Sequence, residues 1–374
     1  MTDPCISLLA DLVAIDSVNP SLVAGAAGES GVAGYLADHM RRLGLEVHLQ
    51  EVAPGRPNVI GVLDGHSPGQ SIMFCGHTDT VGVEGMAAPF TPAIRDGRLY
   101  GRGSQDMKGG VAAMIDAARV ARARGFAGRL ILAAVIDEEY ASLGADALVK
   151  EWRADAAVVT EPTDLQIGVG HKGFAWFQLE TQGKAAHGSR PKDGRDAIMR
   201  MGRVLHRLEA FDRELQSRVL HPVLGTASLH ASIINGGREW SSYPDRCDLR
   251  VERRTIVGET AESADAEINE LLSALRNEDP EFTGSSKLVF SRSAYETPAG
   301  HSLPATLAAL VGARGISAKT CGMSFWTDAA VLGEAGIPSV LFGPGGAGLH
   351  SAEEYVNVAE VIACRDVLAD LLTH

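Results

Sequence analysis

Histidine and acidic residues follow several short apolar segments of this sequence. Seven of them can bind divalent metal ions or exchange protons: His77, Asp79, Asp106, Glu138, Glu139, Glu161 and His350. A structural zinc site prefers four Cys or His ligands, so a set made mostly of carboxylates does not suit one. Two histidines with three carboxylates do suit a pair of divalent ions about 3.5–4 Å apart that activate a water molecule between them. The residue types therefore predict metal-assisted hydrolysis.

Hydrolysis of this kind needs carboxylates in two different roles. One must bridge the two ions, and another, which is not a ligand, must accept the proton of the water as a general base. The adjacent Glu138 and Glu139 can divide these tasks, because neighbouring residues that leave a strand point in different directions. Simpler explanations exist for each residue alone: Asp106 as a helix N-cap, the two glutamates as a solvated acidic turn, and His350 as an exposed loop histidine.

The predicted elements place these residues at one edge of a sheet. Helical patterns cover 6–15, 29–43, 107–124 and 303–314, and strand patterns cover 45–52, 58–63, 71–75, 130–136, 156–159 and 339–342. Buried strands that alternate with helices predict an α/β fold, a mixed sheet flanked by helices. Ligands of open α/β sheets bind beyond the carboxyl ends of the strands. The candidate residues other than Asp106 follow those ends, and Asp106 opens a helix, so we expect all of them to converge on one crevice. The helix at 107–124 would begin directly after Asp106 and end at Gly125.

The pattern changes after Gly173. Strand, helix, strand, strand, helix and strand patterns follow at 174–181, 196–211, 227–235, 246–254, 259–278 and 288–290. This order predicts a small ferredoxin-like α+β domain inserted into the larger one. We therefore expect a discontinuous α/β domain at 1–172 and 291–374, and an inserted domain at 173–290.

Composition argues against several other classes of protein. The 374 residues include 34 basic and 47 acidic side chains, for a formal net charge of −13, and no run of five Lys or Arg. Nucleic acid is therefore not an expected partner. No apolar segment approaches the ~20 residues that cross a bilayer, and the first residues lack a secretory signal. Five scattered cysteines form no CxxC pair. We expect a cytoplasmic protein with reduced thiols and no membrane contact.

Other catalytic motifs are absent or misplaced. The sequence has no GxxxxGK[ST] phosphate loop and no GxSxG nucleophile motif. Residues 343–348 match GxGxxG after a strand, but the next helix is predicted only near Asn357. Dinucleotide binding needs those glycines at a helix N-terminus, so it is not expected.

Five short motifs carry a family resemblance. They are HTDTV at 77–81, GRGSQDMKGG at 101–110, DEE at 137–139, EP at 161–162 and HSAEEYV at 350–356. In this order and spacing they resemble the aminoacylase, acetylornithine deacetylase, succinyl-diaminopimelate desuccinylase and glutamate carboxypeptidase family of dinuclear metallohydrolases. The resemblance covers essentially the whole chain. It implies a zinc-peptidase-like catalytic domain with an inserted lid and dimerisation domain. It also implies two bound divalent ions, for which zinc is the expected metal and cobalt or manganese are the alternatives.

The resemblance implies a place for each metal ligand. Asp106 would bridge the two ions. His77 and Glu161 would complete one metal site, and Glu139 and His350 would complete the other.

The resemblance also implies roles around the metals. Glu138 would be the general base, and Asp79 would orient His77 from behind. His187 would reach the active site of a partner subunit in a homodimer and stabilise the oxyanion, although an exposed loop histidine is the simpler explanation. Arg254 would hold the substrate carboxylate, with a surface salt bridge as the alternative.

Two further positions are expected to contact substrate. Ser241 stands where members of the family often carry Asn, and Thr327 lies in the segment 323–330, which resembles a family loop that binds the substrate backbone. The expected function is hydrolysis of the amide of an N-acyl amino acid. The alternatives are a metallocarboxypeptidase that releases a C-terminal acidic residue from a peptide or acyl conjugate, and a catalytically silent binding protein.

Overall fold

The computed structural model describes residues 3–374. These residues form two compact units that are built from helices and strands. Within these residues the α-helices are α1 Pro4–Val13, α2 Ser30–Arg42, α3 Gly109–Arg124, α4 Leu143–Glu151, α5 Ala197–Ser217, α6 Ala261–Glu278, α7 Leu303–Ala313, α8 Ala329–Glu334 and α9 Val358–Thr373. The strands are β1 Glu46–Ala53, β2 Arg56–Asp64, β3 Ser71–His77, β4 Ala93–Arg95, β5 Arg98–Tyr100, β6 Arg129–Val135, β7 Ala156–Val159, β8 Ile167–His171, β9 Gly173–Gln182, β10 Ser228–Gly236, β11 Arg246–Thr255, β12 Thr283–Arg292, β13 Tyr295–Glu296, β14 Thr320–Met323, β15 Ser339–Leu341, β16 Gly346–Ala347 and β17 Tyr355–Asn357.

The first unit is the larger of the two. It comprises the chain up to Val169 together with Thr297–Cys321 and Thr327–His374. Its main sheet has the strand order β1-β2-β6-β3-β7-β15-β8. The central strands β6, β3, β7 and β15 run parallel, whereas β1, β2 and β8 are antiparallel to their neighbours. The prediction of a mixed α/β sheet is confirmed.

Helices cover both faces of this sheet. Phe74 belongs to a core built with α1, α3 and α9, whereas its strand neighbours Met73 and Cys75 are buried outside that core. Successive strand residues point to opposite faces, so β3 is covered on both sides. A strand buried in this way reads as a continuous apolar run, which is why the sequence pattern identified it.

Two glycines allow backbones to approach closely beside the carboxyl end of β7. A Cβ atom on Gly110 would lie 1.9 Å from the carbonyl oxygen of Thr160, and one on Gly343 would lie 2.2 Å from the carbonyl oxygen of Glu161. Any larger residue would push α3 or the loop after β15 away from the strand. These glycines therefore bring three chain segments together at this edge of the sheet.

The helix predicted to begin at Met107 begins two positions later, at Gly109. Residues 104–108 form an irregular turn in which Asp106 and Met107 have non-helical backbone angles, and their peptide bond is cis. The prediction that Asp106 directly precedes the helix is therefore wrong. Its backbone N–H donates a hydrogen bond to the carboxylate of Glu354, which holds the turn away from regular helix.

A small antiparallel sheet was not predicted at all. It has the strand order β16-β17-β5-β4 and joins residues around position 98 to residues around position 356. Its strands are two or three residues long, which is too short to show a periodic pattern.

The second unit comprises Gly170–Glu296 and Gly322–Trp326. Its antiparallel sheet has the strand order β10-β11-β9-β12, and α5 and α6 share one buried core with it. The element sequence β9-α5-β10-β11-α6-β12 is the order expected from the sequence. The unit extends slightly beyond the expected 173–290, because Tyr295 pairs with His171 and the N–H of Lys172 donates to the carbonyl of Met323.

The edge strand β10 of this unit is largely exposed from His230 to Gly236.

Across residues 3–374, none of the helices combines the length and the apolar character needed to cross a membrane.

Candidate metal centre

Three neighbouring parallel strands deliver the first candidate residues. His77 is the last residue of β3, Glu138 and Glu139 follow β6, and Glu161 follows β7. Since β6, β3 and β7 are adjacent and parallel, their carboxyl ends meet at one edge of the sheet. The sequence-based expectation that these residues converge therefore agrees with the geometry.

Asp106 lies between two histidines. One of its oxygens, Oδ1, is 3.2 Å from Nε2 of His77, and the other, Oδ2, is 3.4 Å from Nε2 of His350. His350 Nε2 is also 3.0 Å from Oε2 of Glu139. The two oxygens of one carboxylate thus face two separate groups of side chains, as a bridging ligand requires.

The cluster offers two overlapping sets of ligand atoms. Single atoms of His77, Glu138 and Glu161 lie within 4.8 Å of one another, and so do single atoms of His77, Asp106 and Glu139. Glu138 thus stands as close to a ligand set as Glu139 does. Distances alone therefore leave open which of these two glutamates is a ligand and which is a base.

Unpaired carboxylate oxygens show that the cluster suits cations. Oε1 of Glu139 and Oε1 of Glu161 are buried and have no hydrogen-bond partner among residues 3–374. Burial raises the pKa of Glu161, and burial together with the charge of Asp106 raises the pKa of Glu139 to about 7. Bound divalent ions would neutralise the negative charges of these closely spaced carboxylates. The donor set, imidazoles with carboxylates, fits such ions.

The histidines hold protons when no ion is bound. Burial lowers the pKa of His77, but hydrogen bonds with Asp106 and Asp79 outweigh it and raise the pKa well above its usual value. Hydrogen bonds with Asp106 and Glu139 raise the pKa of His350 to about 10. Burial opposes ionisation of Asp106, yet the two histidines lower its pKa overall. Metal binding must therefore displace protons.

Asp79 contacts the ring nitrogen of His77 that faces away from the cluster. The backbone carbonyl oxygen of Asp79 is nearer to this nitrogen than its carboxylate is. Nδ1 of His77 is 3.0 Å from that carbonyl oxygen and 3.6 Å from Oδ1. A carbonyl oxygen only accepts, so Nδ1 donates and Nε2 faces the cluster. The carboxylate of Asp79 also accepts the backbone N–H groups of Glu138 and Glu139, both at 3.2 Å. Asp79 thus positions the glutamate turn as well as the histidine.

Sequence reasoning missed the polar network that holds Asp79. The side-chain amide of Asn19 donates to Asp79 at 2.8 Å and to Asp137 at 3.1 Å. Arg56 donates to Asp137 at 3.0 Å and binds both oxygens of Glu29. The available signal was the Asn-Pro pair at 19–20, where a polar residue follows a predicted helix. Its partners lie too far along the chain to show a local pattern.

His187 and Ser241 belong to the second unit, where they come together. Gly188 N–H donates to the carbonyl of Ser241 at 2.7 Å, and His187 forms a β-bridge with Ser242. His187 is exposed, and its Nδ1 accepts the backbone N–H of Ser189 at 3.2 Å. In this arrangement Nδ1 is the acceptor, so Nε2 is the ring nitrogen that can donate.

Arg254 also belongs to the second unit, near the end of β11. Its Nη2 donates to the carbonyl oxygen of Ser324 at 2.7 Å, and its Nη1 is 3.5 Å from a carboxylate oxygen of Glu252. Its guanidinium lies over the ring of Phe174, and burial lowers its pKa. The alternative explanation from the sequence was a surface salt bridge. In the structure Arg254 instead lies in a partly buried cluster with Glu252, Ser324 and Phe174.

Thr327 belongs to the first unit and is fully buried. Its hydroxyl oxygen accepts the N–H of Ala329, the first residue of α8. In this arrangement the hydroxyl supports the start of a helix.

Comparisons with known proteins agree with the motifs. A family model described as Peptidase family M20/M25/M40 matches residues 73–374, a range that includes all seven candidates of the metal centre. Acetylornithine deacetylase of Myxococcus xanthus is 31% identical over 382 positions, covering 98% of this chain and 96% of that protein. N-formyl-4-amino-5-aminomethyl-2-methylpyrimidine deformylase of Bacillus subtilis (strain 168) is 28% identical, covering 91% and 88%.

Solved structures share the fold. The aminopeptidase PepT from Bacillus cereus ATCC 10987 superposes with a TM-score of 0.81 at 20% identity, covering 99% of this chain and 97% of that one. A Bacillus subtilis protein described as a dinuclear metal binding peptidase of family M20 gives a TM-score of 0.75 at 15% identity, covering 98% and 97%. The resemblance inferred from the five motifs is confirmed. The chain belongs to peptidase family M20/M25/M40 and is a hydrolase of amide or peptide bonds.

Proposed function

We propose that this enzyme is a dinuclear metal-dependent amidohydrolase that cleaves the amide bond of N-acyl amino acids. The observation that carries the proposal is the position of Asp106, whose two oxygens face His77 and His350 separately. Similarity to acetylornithine deacetylase across nearly the whole chain supports the N-acyl amino acid as the substrate class.

Five side chains would hold the metal ions. His77 and Glu161 would bind one ion, Glu139 and His350 the other, and Asp106 would bridge them. Bound there, two divalent ions would polarise the scissile carbonyl and lower the pKa of the attacking water. Zinc is the proposed metal, with cobalt or manganese as alternatives, because imidazole and carboxylate ligands accept all three.

Glu138 would act as the general base. Burial, together with the charge of Glu161, raises the pKa of Glu138 well above its usual value in the metal-free protein, so this carboxylate takes up protons more readily than an exposed glutamate there. It would accept the proton of the attacking water and pass it to the departing amine as the C–N bond breaks. Asp79 supports this role, because it fixes the backbone N–H of Glu138.

His187 would stabilise the oxyanion in the active site of a partner subunit. Its Nδ1 accepts a backbone N–H, which leaves Nε2 to donate, and the side chain is exposed, as a donor to another subunit must be. A homodimer through the second unit is supported by the edge strand β10, which exposes Ile233 and Ile234 beside unpaired backbone groups.

Arg254 would bind the α-carboxylate of the substrate, because a planar guanidinium can pair with a carboxylate through two hydrogen bonds. Substrate contacts by Ser241 and Thr327 remain predictions, as does a cytoplasmic location.

Turnover of a substrate panel tests the proposal. The zinc- or cobalt-loaded enzyme is compared on N-acetyl and N-formyl amino acids, on dipeptides, and on acyl conjugates with a C-terminal acidic residue. The proposal predicts that an N-acyl amino acid exceeds every peptide in kcat/KM by at least about tenfold, or about 1.4 kcal/mol. Preference for a C-terminal acidic residue would instead establish the metallocarboxypeptidase. Binding without any turnover would establish the silent binding protein.

A further inference from the structure

One buried carboxylate in the motif at 350–356 has no role in the metal chemistry described above. The side chain of Glu354 is fully buried, and its carboxylate accepts four hydrogen bonds. Oε1 accepts the backbone N–H of Gln105 at 2.9 Å and of Asp106 at 3.1 Å. Oε2 accepts the N–H of Gly103 at 3.0 Å and Nη1 of Arg102 at 2.7 Å. A carboxylate offers about four acceptor positions, so Glu354 is saturated.

Three of these bonds determine the shape of the turn that carries Asp106. The N–H groups of residues 103, 105 and 106 all point at one carboxylate. A single anionic acceptor therefore gathers the amides of this irregular turn, in which Asp106 has non-helical backbone angles. The N–H of Asp106 is one of these groups. Glu354 therefore holds the backbone of Asp106, from which the Asp106 carboxylate reaches toward both histidines.

Arg102 extends the same contact to two other loops of the centre. Its Nη2 donates to the carbonyl of Ser351 at 2.9 Å, and its Nε donates to the carbonyl of Gly82 at 3.1 Å. Ser351 is next to His350, whose φ of 58° lies in the left-handed region that non-glycine residues rarely adopt. Gly82 lies in the loop that begins after His77. One guanidinium thus joins three of the loops that contribute to the metal cluster.

We propose that Arg102 and Glu354 are positioning residues of the metal centre, which together hold the bridging carboxylate of Asp106 in register with His350. The inference rests on the proposed function only in taking this cluster as the metal centre. Neither residue is a ligand in the proposed arrangement, so each acts through the residues that it holds.

Replacement of Glu354 by Gln tests the pair directly. The E354Q amide keeps one oxygen acceptor, but its NH2 group would face backbone N–H groups, and the partner charge of Arg102 is lost. The matched control is E353Q, which removes an exposed charge at the preceding position. Metal-free proteins are titrated with Zn²⁺ and with Co²⁺, and the visible absorption of bound Co²⁺ reports ligand geometry.

We expect E354Q to bind these ions about 10- to 100-fold more weakly than the wild type, with an altered Co²⁺ spectrum. E353Q should match the wild type in both respects. Far-ultraviolet circular dichroism and thermal unfolding of the metal-free proteins separate misfolding from mispositioning. If E354Q is unfolded at the assay temperature, R102K is tested in its place. R102K keeps the positive charge beside Glu354 but loses the guanidinium hydrogen bonds to Gly82 and Ser351. R102K should weaken metal binding and change the spectrum.

The inference is overturned if a folded E354Q or R102K binds both ions within about threefold of the wild type, a difference under 1 kcal/mol, with an unchanged Co²⁺ spectrum. A wild-type enzyme that fails to bind two ions would refute the proposed metal centre instead. The two failures are therefore distinguishable in one titration series.

Discussion

Replacement of Asn19 by Ala should destabilise the metal-free protein measurably. The side-chain amide of Asn19 donates to the carboxylates of Asp79 and Asp137, and its oxygen accepts the N–H of Ser21 and Nη2 of Arg56. Each hydrogen bond to a charged group contributes about 1.5–3 kcal/mol. Both carboxylates keep other donors, since Asp79 still accepts two backbone N–H groups and Asp137 still accepts from Ser21 and Arg56. We therefore expect a loss of about 2–4 kcal/mol rather than the full sum.

Urea unfolding of the metal-free protein at pH 7 measures this loss, and N277A at an exposed position of α6 is the control. N19D provides a sign test, because a third carboxylate would then face Asp79 and Asp137. N19D should be less stable than N19A, whereas N277A should lie within about 0.5 kcal/mol of the wild type. The reasoning is refuted if N19A also lies within that range, or if N19D is as stable as N19A.

Three further predictions concern substrate, assembly and protons. R254A should lose about 2–5 kcal/mol of transition-state stabilisation, measured as kcat/KM, and amidation of the substrate α-carboxylate should add little further loss; simple addition of the two losses would contradict the contact. Mixed subunits of inactive E138A and inactive H187A should regain activity, because one hybrid site keeps both residues; no recovery despite subunit exchange would exclude action in trans. Zn²⁺ binding at pH 7 should release at least one proton and tighten as the pH rises, because the pKa of His350 is about 10 in the metal-free protein and only neutral imidazole binds metal. Calorimetry in buffers of different ionisation enthalpy counts that proton, and a count of zero would contradict the assignment.

Buried parallel strands were the most predictable part of this fold. Each is a short, continuous apolar run, and His77, Glu138, Glu139 and Glu161 come shortly after the ends of three of these runs. The convergence of these residues follows from parallel pairing alone, because parallel neighbours end at the same edge of a sheet. Sequence pattern and topology therefore sufficed for this half of the candidate centre.

The supporting contacts could not be predicted, because they join distant parts of the chain. Glu354 meets the turn at 102–106 and Asn19 meets Asp137 only after folding, so no local periodicity records either contact. The irregular turn before α3 donates N–H groups to Glu354, and a sequence pattern that continues smoothly into the helix conceals it. The roles of His187 and Arg254 stay predictions.

Metal content and turnover of two neighbouring variants, E138A and E139A, test the central claim most directly. Both are loaded with Zn²⁺, dialysed and subjected to elemental analysis beside the wild type and an exposed control, E151A. The account predicts that E138A retains two ions per chain while its turnover falls by about 10²–10⁴-fold or more, because it lacks only the base. E139A should lose one ion. If E138A loses an ion and E139A retains both, Glu138 is the ligand, and its assignment as the general base is wrong.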